Sequence, residues 1–101
     1  MITKKVLKTK PVCKVTFALS KAEAGTAQSV NLVGEFNQWD KSAHPLKKYK
    51  NGSHKITVDL PQGRDYQFRY LINDTEWHND SQADNYVPGG IGQEENGVVK
   101  V

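Results

Sequence analysis

Cys13 is the only cysteine among 101 residues, so no intrachain disulfide can form. It lies in an alternating segment and reads as a small buried apolar group rather than a nucleophile. No apolar run approaches the roughly 20 residues that span a bilayer, so no membrane partner is expected. The first lysines are not followed by an apolar stretch, so no secretory leader is expected and a cytoplasmic protein is. His44, His54 and His78 are scattered without metal-ligand spacing. Nucleophile-elbow, phosphate-loop and dinucleotide signatures are all missing. The pattern therefore predicts no catalytic residue, no metal and no cofactor. Asp40, Asp59, Asp65, Asp80 and Asp84 sit in turns or at outward strand positions, where aspartate commonly shapes turns. Asp80 and Asp84, close to His78, read as an Asx-turn loop rather than a metal site.

The net charge is +3, and Lys4, Lys5, Lys8, Lys10 and Lys14 supply most of the excess. Residues 1–11 read as a flexible, solvated basic arm, and residues 12–101 as a single domain. So small a charge argues against a nucleic-acid partner, although aromatics beside a basic arm keep single-strand binding as a minor alternative.

The dominant periodicity is two, which marks β-strands. Cys13, Val15, Phe17 and Leu19 form one face of a strand. Residues 20–28 are rich in small and polar residues. Ser20 with Glu23 could open a helix, but Gly25 and Thr26 cut it short, so a loop is predicted. Asn51-Gly52 is a strong hairpin signal. Ile56, Val58 and Leu60 alternate after it, and Leu60-Pro61-Gln62-Gly63 reads as a turn. Tyr66, Phe68, Tyr70 and Ile72 then alternate with Gln67, Arg69 and Leu71, and Asn73-Asp74-Thr75 turns the chain again. Short strands with turn chemistry between them predict an all-β antiparallel sandwich that fills the chain.

Trp39 and Trp77 stand out from this pattern. Each lies among Asn, Gln, Asp, Glu or His rather than in an apolar run. A flat apolar ring in a polar turn needs a cover, and a sugar ring, a base or a protein surface could provide one. A pyranose has an apolar C–H face and a rim of hydroxyls, which aromatic rings and amide or cationic side chains recognise. The two tryptophans are candidate platforms. Arg69 lies on the strand face opposite Tyr66, Phe68 and Tyr70. Asn37, Gln38 and Asn96 are candidate rim partners. The opposing reading is that each tryptophan caps an edge of the core.

Val30-Asn31-Leu32-Val33-Gly34-Glu35-Phe36-Asn37-Gln38-Trp39 resembles the V-x-L-x-G-x-F-N-x-W motif of family 48 carbohydrate-binding modules. Leu60-Pro61-Gln62-Gly63 followed by Tyr66-Gln67-Phe68-Arg69-Tyr70 resembles their L-P-x-G segment and the strand after it. Trp77 with Asp80, then Ala83-Asp84-Asn85-Tyr86-Val87-Pro88, Gly92 and Asn96-Gly97-Val98-Val99, resemble the closing part. The resemblance runs in order from Val12 to Val101.

It implies an immunoglobulin-like β-sandwich of the early-set type that binds α-glucan without catalysis. Glucose units would stack on Trp39 and Trp77. The basic rim residue falls on Arg69, the amide before the last strand on Asn96, and the aliphatic residue that enters the sugar coil on Ile91. Glu94 stands where the family has a hydroxyl residue, and one extra residue precedes Trp77. The alternative is a protein-interaction module that docks to a glycan-metabolising enzyme or a kinase-like partner through the same aromatic patch.

Overall fold

Alternating apolar residues bury one face of a strand, so two such sheets pack face to face. The computed structural model describes residues 1–89 and 95–101. Among these, one antiparallel sheet comprises β1 (Ile2–Val6), β2 (Val12–Leu19), β5 (His54–Pro61) and β4 (Lys47–Lys48), in that order. The second contains β3 (Val30–Gly34), β6 (Asp65–Ile72), β9 (Glu95–Lys100) and β8 (Asn85–Pro88), in that order, with β7 (Glu76–His78) also paired to β6. The two sheets form an immunoglobulin-like β-sandwich. No helix among the described residues is long and apolar enough to cross a membrane.

The inward faces match the alternation. Cys13, Val15, Phe17 and Leu19 of β2 meet Leu32 of β3 and Tyr66, Phe68, Tyr70 and Ile72 of β6 in one buried cluster. Phe17 and Phe68 meet edge to face at 5.0 Å, and Phe68 and Tyr70 at 5.8 Å. These tilted arrangements suit the ring quadrupoles. Asp80 is fully buried behind them and accepts a hydrogen bond from the Tyr70 hydroxyl at 2.8 Å. The N-terminal ammonium of Met1 reaches the same oxygen at 2.8 Å.

Residues 1–11 depart from the expected flexible arm. Ile2–Val6 pair along their whole length with β2, from Ile2 opposite Phe17 to Val6 opposite Cys13. The unsatisfied edge of β2 offers a ladder of backbone donors and acceptors, which outweighs the weak alternation of the arm itself. Lys4 and Lys5 then lie on an edge strand, where lysine discourages further strand addition.

The loop expected at residues 20–28 begins as a helical turn, α1 (Lys21–Ala24). The Glu23 amide donates to the Ser20 hydroxyl, and the Ser20 amide donates to the Glu23 carboxylate. This reciprocal capping box closes the turn even though Gly25, at φ 60°, ends it at once.

Candidate functional site

The site grows from an interruption in sheet pairing. β6 pairs with β9 from Asp65 to Phe68 and with β7 from Tyr70 to Ile72. Arg69 falls where one partner strand gives way to the other. Its opposite neighbour is Val33 on β3. Strand alternation places Gln67, Arg69 and Leu71 on the outer face, together with Val98 and Asn96 of β9 and Trp77 of β7.

Trp77 reaches that face through a tight turn. Asn73 and Asp74 have φ values of 52° and 60°, a pairing that suits the twist of a hairpin. The Thr75 amide donates to the Ile72 carbonyl at 3.1 Å, and the Asn73 side chain accepts from the Gln28 amide at 2.8 Å. Trp77 then stands opposite Leu71.

Trp39 is positioned by a different device. After β3, Glu35–Asn37 form a single 3-10 turn. Gly34 lies so close to β6 that an added Cβ would stand 2.6 Å from the Gln67 carbonyl oxygen. Asn37 is buried, and its side chain completes the turn. Its oxygen accepts from the Gly34 amide at 3.1 Å, and its nitrogen donates to the Leu32 carbonyl at 3.0 Å and contacts His44 Nδ1 at 2.8 Å. Gln38 and Trp39 both follow in the left-handed region, at φ 55° and 59°. Such a conformation costs a non-glycine residue about 1–3 kcal/mol and persists only when its surroundings fix it. The Trp39 amide also donates to the Gly34 carbonyl at 2.9 Å.

Trp39, Arg69, Trp77, Gly89 and Asn96 line one cavity of about 240 Å³. Each tryptophan is 38% exposed, so neither is a core residue. The Asn96 amide nitrogen donates to Gln67 Oε1 at 3.0 Å, which orients it at the cavity edge. A second cavity of about 220 Å³ shares Arg69 and Trp77 and is otherwise lined by His78, Asn79 and Glu95.

Four of the expected site residues, Trp39, Arg69, Trp77 and Asn96, therefore meet. Asn37 does not join them. It is a buried turn residue, and its amide is committed to the backbone of β3 and to His44. Ile91 and Glu94 lie outside the described residues. Gln67 and Gly89 were not singled out from the sequence, although strand phase puts Gln67 on the same face as Arg69. Lys41 was missed as well. Its ammonium lies 5.8 Å from the centroid of the Trp77 ring, and its only signal was its place two residues after Trp39.

The nearby carboxylates shape the chain. Asp40 accepts from the Ser42 amide at 2.9 Å and hydroxyl at 3.0 Å, and these bonds hold its pKa below the usual range. Burial pushes Asp84 upward, but the Lys100 amide and Lys4 outweigh it and leave its pKa lowered. Asp80 accepts from the Gln82 amide at 2.8 Å, the Asx turn expected there. Among the described residues no cluster of three or more His, Cys, Asp or Glu is arranged to hold a metal ion.

A β-sandwich that carries a half-exposed aromatic cleft on one sheet face is a small binding module. The chain belongs to the carbohydrate-binding module 48 family, the isoamylase N-terminal domain, whose family model matches residues 14–87. Trp39, Arg69 and Trp77 fall within that match, and Asn96 lies beyond it. Over 40 residues the chain is 40% identical to a 1,4-alpha-glucan-branching enzyme of Rhizophagus irregularis. The matched stretch is 40% of this chain and 6% of that enzyme.

Proposed function

We propose that this domain binds α-glucan without catalysing its conversion, and that glucose units stack on Trp39 and Trp77. The observation that carries this reading is the meeting of both indoles with Arg69 and Asn96 around one cavity. The rings offer apolar faces to sugar C–H groups. The Arg69 guanidinium and the Asn96 amide oxygen supply polar partners for hydroxyls at the rim. The 1,4-alpha-glucan in the name of the matched branching enzyme supports the same substrate class.

The cleft is shallow and its anchors are few, so dissociation constants of about micromolar to millimolar are expected. Calorimetric titration with maltoheptaose tests the proposal. Trp39→Ala and Trp77→Ala should each weaken binding by about tenfold or more. Unchanged affinity in Trp77→Ala, or no binding by the unaltered domain, would refute it.

A further inference from the structure

Gln67 stands two residues before Arg69 on β6, so strand alternation turns both side chains to the outer face. It lies opposite Val98 of β9. Asn96, two residues before Val98, points the same way. The register therefore sets Gln67, Arg69 and Asn96 on a single surface, beside the cavity that both tryptophans line.

Gln67 is held at both ends. Its backbone amide donates to the Glu35 carboxylate at 2.6 Å, and Glu35 opens the 3-10 turn that leads to Trp39. The Gln67 side-chain oxygen accepts from the Asn96 amide nitrogen at 3.0 Å. The residue thus couples the Trp39 turn to the Asn96 edge of the cavity.

This coupling leaves a defined remainder. A primary amide has an oxygen that accepts and a nitrogen that carries two N–H donors. The bond between the two side chains uses the Asn96 nitrogen and the Gln67 oxygen. The Asn96 oxygen and the Gln67 NH2 take no partner among the described residues, and neither is sealed from solvent without one. The pair therefore presents one acceptor and one donor, from side chains fixed to each other. Gln67 is half-buried and Asn96 is buried, so little rotamer freedom remains to be lost when a ligand arrives. A sugar hydroxyl both donates and accepts. Two hydroxyls on neighbouring ring carbons meet such a pair with one bond each.

We infer that Gln67 is a sugar-binding residue, whose NH2 donates to a glucose hydroxyl while the Asn96 oxygen accepts from the hydroxyl beside it. This rests on the glucan reading of the tryptophan cavity. It extends the contact surface along β6 to the side of Arg69 remote from Trp77, which stands opposite Leu71.

Calorimetric titration with cyclic maltoheptaose and a crystal structure of that complex test the assignment. Gln67→Met keeps the length of the side chain and the backbone bond to Glu35 but removes the donor. It should weaken binding about three- to tenfold, the loss of one net hydrogen bond. Matching thermal melts establish that the variant is folded. In the complex of the unaltered domain, Gln67 Nε2 should lie about 2.7–3.2 Å from a glucose hydroxyl. A residue that only positions Asn96 would also weaken binding when replaced, but no sugar oxygen would lie within reach of Nε2, and that result overturns the assignment. Unchanged affinity in Gln67→Met overturns it too. In both cases the tryptophan site stands. If the unaltered domain does not bind the sugar, both readings fall.

Discussion

Lys41 reaches across the site to lie over Trp77, 5.8 Å from the ring centroid. Lys41 comes from the segment that carries Trp39, so the contact joins the two tryptophan segments directly. An exposed cation–π pair of this kind contributes about 0.5–1 kcal/mol. Lys41→Ala should lower stability in urea by that amount and Lys41→Arg should retain it. Equal loss in both variants would show that the ring face contributes nothing.

Asn37 holds the turn that presents Trp39. Asn37→Ala removes the bonds to Gly34 and Leu32 and leaves both backbone groups without their partner. Destabilisation of about 1–3 kcal/mol is expected. Because Gln38 and Trp39 depend on the same turn for their left-handed backbone, maltoheptaose affinity should fall in the folded variant too. A variant that melts early yet binds normally would separate the turn from the platform.

Gly34 tolerates no side chain. A Cβ would stand 2.6 Å from the Gln67 carbonyl and 2.9 Å from both Phe36 and Phe68. Gly34→Ala must push β3 away from β6, and a loss of about 2 kcal/mol or more is expected. Chemical denaturation measures it, and a change below about 0.5 kcal/mol, the scale of an ordinary surface substitution, would contradict the close approach.

His54 makes the fold sensitive to mild acid. It is buried at 1% exposure, and neither ring nitrogen has a hydrogen-bond partner among the described residues. Burial, reinforced by Lys48, lowers its pKa from the ordinary value of 6.5. The unfolded chain therefore binds a proton at a higher pH than the folded one. The stability that His54 leaves intact above about pH 6.5 is lost progressively as the pH falls through that value towards the folded pKa. Melting temperatures between pH 7 and pH 5 should decline in the unaltered domain and decline less in His54→Leu. Parallel curves would exclude His54 as the titrating group.

The strands that build the core were legible in the sequence because their alternation is strong. Phe17, Phe68 and Tyr70 all point inward as the period of two requires. The same parity carries His54 inward with Ile56, Val58 and Leu60, a consequence the alternation already contained. Arg69 could be placed on the outer face, and the tryptophans could be recognised as misfits in polar turns. β1 could not be read in the same way, because its pairing is dictated by the open edge of β2 rather than by residues 1–11. Asn37 looked like a surface residue because a polar turn sequence does not show which amide folds back to replace a backbone partner. The capping box of α1 was visible, but whether Gly25 would prevent the helical turn or merely end it was not. The second cavity beside Arg69 depends on where β6 changes partners, a matter of register that no local pattern encodes.

The turns before Trp39 and Trp77 have a joint consequence. One is fastened through Asn37 to β3 and the other through Asn73 to the Gln28 amide. Each indole is thus borne by a bracket anchored in the framework. On the proposed glucan reading, the conformational entropy lost on association would fall chiefly on the sugar chain, whose linkages must stop turning. Glucans already coiled in solution, or closed into rings, would arrive with part of that loss behind them.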